Sequence, residues 1–163
     1  MTFISALQAY PFLGLVCTLI LGLLVGSFLN VVIYRVPKMM ERDWQNQCHE
    51  FLTNDGNVAT LPSNNEKQEP FNLMVPASTC PHCGHKIRAW ENIPVISYLF
   101  LKGKCSNCKS DISVRYPIIE LVTGLLSVAI IYHIGINWSG LAALVLTWSL
   151  IALTMIDIDT YLL

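Results

Sequence analysis

The chain has 163 residues, of which 53% are hydrophobic and only 13% charged, with a mean hydropathy of +0.51 and a net charge of −1. Soluble domains carry about 25% charged residues, so this composition excludes an ordinary cytosolic enzyme, and it is too apolar for a disordered chain. A balance so close to zero provides no basic field for nucleic acid, and no nucleic-acid partner is expected. All ten Lys and Arg lie between Arg35 and Arg115. Residues 1–34 have no charged side chain, and residues 116–163 have only Glu120, Asp157 and Asp159. Two apolar ends flanking a polar middle are the pattern of a membrane protein.

Phe12 to Tyr34 is the first predicted element, an almost unbroken apolar run. A helix needs about 20 such residues to cross the hydrocarbon layer, and this run is long enough. A secretory signal peptide would have a basic stretch ahead of its apolar segment, and nothing basic precedes Arg35. Pro11 suits the first helical turn, where its missing N–H costs nothing. Gly14, Gly22, Gly26 and Ser27 would let a neighbouring helix approach closely. Cys17, within the run, reads as an inert apolar side chain. After Pro37, Met39 to Trp44 is expected to form a short interfacial helix. Residues 52–70, rich in Asn, Pro and Ser, are expected to form a flexible loop.

Six cysteines occur, and Cys48 has no partner at metal-binding spacing. The other four form Cys80-Pro-His-Cys83 and Cys105-Ser-Asn-Cys108, with 21 residues between the pairs. Two CxxC turns at this separation are the signature of a zinc ribbon, each turn offering two thiolates to one tetrahedral metal ion. Gly84 and Gly103 supply the backbone freedom that such turns demand. With four thiolates the site is closed, so the metal is structural, and His82 and His85 are not needed as ligands. A redox pair would be a single CxxC, and disulfides do not suit a reducing compartment. An iron–sulfur cluster uses the same ligands and remains the alternative on spacing alone. Between the pairs, Ile87 to Leu101 is apolar and aromatic, and either packs on the knuckles or lies on the membrane surface.

Pro117 to Ile136 and Trp138 to Ile156 are the second and third apolar runs, joined by Gly135-Ile136-Asn137-Trp138 as a tight helical hairpin. Tyr132 and Trp138 suit an interfacial position there, and His133 reaches headgroup water. Arg35, Lys38 and Arg42 follow the first run, and Lys102, Lys104, Lys109 and Arg115 precede the second. The positive-inside rule then puts residues 35–116 in the cytoplasm. The expected fold is all-α and polytopic, with about three transmembrane helices and a cytoplasmic tetracysteine insertion resembling a zinc ribbon. Residues 1–34 form the first helix, 35–116 the metal segment and 117–163 the hairpin.

Asp157 and Asp159 end the third run, on the same side as the metal segment. Ionisable groups at membrane depth are functional candidates, although two aspartates can also simply end a helix at the surface. Two residues apart on a helix means about 200° apart around it, so this pair cannot share one water molecule. Glu120 is the one other acid at comparable depth in the sequence.

The motifs together resemble the type IV prepilin leader peptidase/N-methyltransferase family. The resemblance rests on Gly26-Ser-Phe-Leu-Asn-Val-Val-Ile-Tyr-Arg-Val-Pro37, the two CxxC pairs, Trp90-Glu-Asn-Ile-Pro94, Gly103-Lys-Cys105, Arg115-Tyr-Pro117 through Glu120, and Ile156-Asp-Ile-Asp159. It implies a bifunctional enzyme of the bacterial inner membrane. Such an enzyme cuts the basic leader from type IV prepilins or type II secretion pseudopilins, then methylates the new amino terminus with S-adenosylmethionine. It also implies that Asp157 is the first of two catalytic aspartates, that 117–163 opens an aspartic peptidase domain, and that the zinc segment is associated with methyl transfer. The second aspartate belongs to a Gly-x-Gly-Asp motif that this sequence lacks. The chain, ending at Tyr161-Leu162-Leu163, therefore reads as the amino-terminal portion of the enzyme and is expected not to cleave prepilin alone. The competing class is a non-catalytic, membrane-anchored zinc-ribbon interaction protein, which would use the same cysteines and basic flanks to hold a partner or the lipid bilayer. No Gly-x-Gly-x-x-Gly marks a cofactor site.

Overall fold

The computed structural model describes residues 10–54 and 71–161. Four α-helices occur in that part: α1 (Pro11–Asn54), α2 (Ile96–Phe100), α3 (Arg115–Ile134) and α4 (Trp138–Thr160), with a 3-10 turn at Ala89–Asn92 ahead of α2. No strand is present among the described residues, only two isolated bridges in the metal segment. The helices α1, α3 and α4 are each long and apolar enough to cross a membrane.

At 1.5 Å per residue, the 44 residues of α1 span about 66 Å, roughly twice the hydrocarbon thickness. The helix continues through Pro37 as one element, where the sequence pattern suggested a break and a separate short helix. Proline's fixed φ is helical, so the chain can continue, at the cost of the hydrogen bond to the Ile33 carbonyl and of the ring's crowding against that carbonyl. The Lys, Met, Glu, Arg and Gln residues that follow favour helix and carry it on. Of the stretch expected to loop, residues 52–54 are helical and 55–70 lie outside the described residues.

Small residues set the bundle. A Cβ on Gly26 would stand 2.8 Å from the Glu120 Cα, and one on Gly22 would stand 2.9 Å from the Gly124 Cα. Helices α1 and α3 therefore touch backbone to backbone, the close approach expected of Gly22 and Gly26. Farther along, the Asn30 amide donates to the Tyr116 carbonyl at 3.2 Å, so the two helices run antiparallel. Thr123 and Ser127, fully buried in this seam, return their hydroxyls to the Ile119 and Thr123 carbonyls. The Trp148 indole of α4 donates to the Ser127 hydroxyl at 3.0 Å. Leu29, Ile33, Ile119 and Ala152 form the apolar centre nearest the metal segment. Outward-facing Ile20, Leu24, Phe28, Leu125, Val145 and Leu150 are exposed and suit hydrocarbon.

The hairpin is closed by Asn137. Its side-chain oxygen accepts from the Gly140 N–H at 2.7 Å, capping α4, and its NH₂ donates to the Ile134 carbonyl at 2.9 Å, capping α3. Gly135 makes the turn at φ +84°, a conformation that glycine reaches without penalty.

Candidate metal centre and adjoining carboxylates

Each CxxC folds into a knuckle, and the two knuckles are copies of one another. In the first, the N–H groups of Cys80, Gly84 and Ile87 donate to the carbonyls of His85, Cys80 and Ser78. In the second, the N–H groups of Cys105, Lys109 and Ile112 donate to Ser110, Cys105 and Gly103. The offsets from the leading cysteine are identical, as are those of the bridges Thr79–Lys86 and Lys104–Asp111. The residue after each second cysteine is left-handed: Gly84 at φ +68° and Lys109 at φ +61°. Gly103, at φ +70°, lies against the Tyr98 ring, and its N–H donates to the Tyr98 carbonyl. The aromatic stretch thus packs on the second knuckle at Tyr98, while Leu99 and Phe100 stay exposed.

The Sγ atoms of Cys80, Cys83, Cys105 and Cys108 all lie within 4.8 Å of one another, and Cys80 and Cys108 are 3.8 Å apart. Four thiolates about 2.3 Å from a tetrahedral ion stand about 3.8 Å apart, so these residues fit a thiophilic metal. Cys80 and Cys105 are buried, while Cys83 and Cys108 face solvent. Backbone N–H groups of Cys83 and His82 converge on the Cys80 sulfur and pull its pKa down to about 6. The Ser110 hydroxyl, 3.1 Å from the Cys108 sulfur, lowers that thiol as well. Both favour the thiolate, which is the form that binds metal.

Glu91 ties the module together, a role that the sequence reading missed. Its carboxylate accepts from the Arg88 N–H at 2.9 Å, interacts with the Ser106 side chain, and lies 3.4 Å from His85 Nε2 without hydrogen-bond geometry. The Arg88 amide and then Ser106 hold its pKa below the usual carboxylate range. His85 is thereby engaged with an acid and is not among the four grouped ligands.

The module sits on one end of the bundle. Arg35, counted in the sequence only as a flanking positive charge, is buried and donates to the Asn72 carbonyl at 2.8 Å and the Pro76 carbonyl at 2.6 Å. Phe71 lies beneath both the Arg35 and Arg42 guanidinium groups. The Asn72 side chain caps the same turn by accepting from the Met74 and Val75 N–H groups. These contacts hold the strand of chain entering the first knuckle against α1.

The three acidic candidates have different environments. Asp159 makes a two-pronged ion pair with Arg115 across the α3–α4 ends, at 2.6 and 2.7 Å. Glu120 is buried between α1 and α3, beside the Ser27 hydroxyl, and accepts the Val95 N–H at 2.8 Å. Asp157 is half-buried in the last turn of α4, and its backbone carbonyl accepts the Tyr161 N–H. All three lie at the metal-segment end of the bundle, with Glu120 joined to the segment directly. Both ion-pair and amide partners lie 25 to 44 residues away in sequence, so no local pattern signals them.

Residues 20–134 match the family described as the bacterial peptidase A24 N-terminal domain. Among curated proteins, the chain is 54% identical to a prepilin leader peptidase/N-methyltransferase of Stutzerimonas stutzeri, over its whole length and 54% of the relative's. It is 50% identical to the protein of that name in Pseudomonas aeruginosa, over its whole length and 53% of the relative's. It is 53% identical to the Neisseria gonorrhoeae protein of that name over 86% of this chain and 47% of the relative. The chain thus spans about half the length of the curated relatives it matches. No solved structure matches it.

Proposed function

The chain belongs to the bacterial peptidase A24 N-terminal domain family, and from that premise we propose that it serves a prepilin leader peptidase/N-methyltransferase. In this reading α1, α3 and α4 cross the bacterial inner membrane and residues 35–116 stand on its cytoplasmic side. The enzyme removes the basic leader of a type IV prepilin or pseudopilin and methylates the exposed amino group with S-adenosylmethionine. The observation that carries the reading is spatial. Asp157, the tetracysteine module and the basic residues Arg35 and Arg115 share one end of an apolar three-helix bundle. A substrate with a basic leader outside the membrane and an apolar helix within it would present its junction at that level.

The metal is structural Zn²⁺, held by Cys80, Cys83, Cys105 and Cys108. A closed tetrathiolate would leave no open position for substrate, so these four residues would use the ion to brace the module and not to cleave a bond. Asp157 is one of two catalytic carboxylates. One member of such a pair, ionised, takes a proton from water while the other, protonated, polarises the scissile carbonyl. Asp159 and Glu120 are engaged with Arg115 and Val95, and the family resemblance implies that the partner of Asp157 is the aspartate of a Gly-x-Gly-Asp motif, which these 163 residues do not contain. That same engagement favours, for this chain by itself, a second reading as a membrane-anchored zinc-ribbon interaction module.

The test is Asp157→Asn in an enzyme that carries both aspartates. Leader cleavage should disappear while the metal content stays at one ion per chain. Retained cleavage overturns the assignment.

A further inference from the structure

Glu120 is the one carboxylate among the described residues that is buried inside the apolar bundle. Its position is fixed by close backbone packing, since the Gly26 backbone approaches its Cα too closely to admit a side chain. Burying an unpaired carboxylate is costly, so its partners indicate what it is for. One oxygen accepts the Val95 N–H at 2.8 Å, from a segment 25 residues earlier in the chain, and Ser27 of α1 supplies a second hydrogen bond.

Val95 is itself unusual. It is β-branched yet sits at φ +59°, ψ −46°, in a region that such residues almost never occupy. A strained backbone persists only where its surroundings over-determine it. Pro94, buried just before it, and the tie to Glu120 provide that constraint. Val95 also lies midway between the knuckles, 12 residues after Cys83 and 10 before Cys105. The two cysteine pairs meet at the base of this loop, where they would hold the metal, and Glu120 holds its tip.

We propose that Glu120 is a positioning residue, a latch that fixes the tip of the loop between the two CxxC turns onto the helical bundle by accepting the Val95 N–H. It acts as a hydrogen-bond acceptor and not as an acid in the chemistry. This inference rests on the function proposed above for its consequence, which is that the module stays docked beside Asp157, but the latch can be tested without that function. A glutamine keeps an acceptor oxygen in the same place and an alanine removes it, so the two substitutions separate the roles.

The measurement is amide exchange of the peptide containing Val95 in the full-length enzyme in lipid nanodiscs, together with metal content. Glu120→Ala should speed Val95 exchange by about 3- to 10-fold, the loss expected for one hydrogen bond. Metal content should be unchanged. Glu120→Gln should keep the protection and both enzymatic activities, whereas the alanine variant should lose methyl transfer by at least about tenfold. Unchanged Val95 exchange in the alanine variant would overturn the latch. So would loss of cleavage in a Glu120→Gln protein that keeps its Val95 protection, because that result would make Glu120 an acid. If Glu120→Ala fails to accumulate, Ser27→Ala is the milder second variant, and it should raise exchange at Val95 by a smaller factor. Lost protection in an enzyme that neither cleaves nor methylates pilin would support the latch and refute the proposed function instead.

Discussion

Gly26→Ala is the sharpest test of how the bundle is held. The added methyl would stand 2.8 Å from the Glu120 Cα, 3.1 Å from the Thr123 Cβ and 3.3 Å from the Glu120 carbonyl oxygen. Carbon atoms rest about 3.5–4.0 Å apart, so the nearest contact is about an ångström too short. Two of the three opposing atoms are backbone and cannot rotate away. The helices must part, and the seam loses contact along Gly22, Thr123 and Ser127 as well. Overpacking of this kind costs about 1–3 kcal/mol, or roughly 5- to 150-fold in the folding equilibrium. Leu24→Ala on the exposed face of the same helix is the control and should change stability by less than about 0.5 kcal/mol. The assay is unfolding by dodecyl sulfate titration in mixed micelles, followed by tryptophan fluorescence, because Trp148 reports on the Ser127 seam directly. A Gly26→Ala chain as stable as the parent would refute backbone contact between α1 and α3.

Two further expectations concern the knuckles. Metal-stripped protein should show a thiolate absorbance step near pH 6, because the lowered pKa of Cys80 leaves it ionised above that value and protonated below. The step should vanish in Cys80→Ser, and acidification through the same range should weaken metal binding, since protons then compete for the sulfur. Lys109→Gly should tighten metal binding about fivefold in a chelator competition. It relieves about 1 kcal/mol of left-handed strain at the position that the first knuckle already fills with Gly84.

Much of this architecture is legible in the sequence because its causes are local. Apolar runs of membrane length, the Gly22–Gly26 spacing, the Gly135–Trp138 turn and the paired CxxC turns each declare themselves within a few residues. What the sequence hides depends on partners far along the chain. Arg35 reads as one more flanking charge, yet it is buried on the carbonyls of Asn72 and Pro76. Glu120 reads as a candidate acid beside Asp157, and only the folded chain brings Val95 to it. Asp159 likewise acquires Arg115. The continuation of α1 beyond Pro37 was obscured differently. Its polar half lies exposed on all sides, so no apolar stripe marks it as helical.

The Asn137 turn has an effect at a distance. Helix α4 rises about 35 Å from that cap to its last turn, and each residue advances the helix by about 100°. A one-residue slip at the cap would swing Asp157 through that angle and shift it about 1.5 Å along the axis. A single amide on the far rim of the bundle therefore sets the azimuth at which the acid on the near rim points. The geometry at one end of the bundle is thus exposed to mutations at the other.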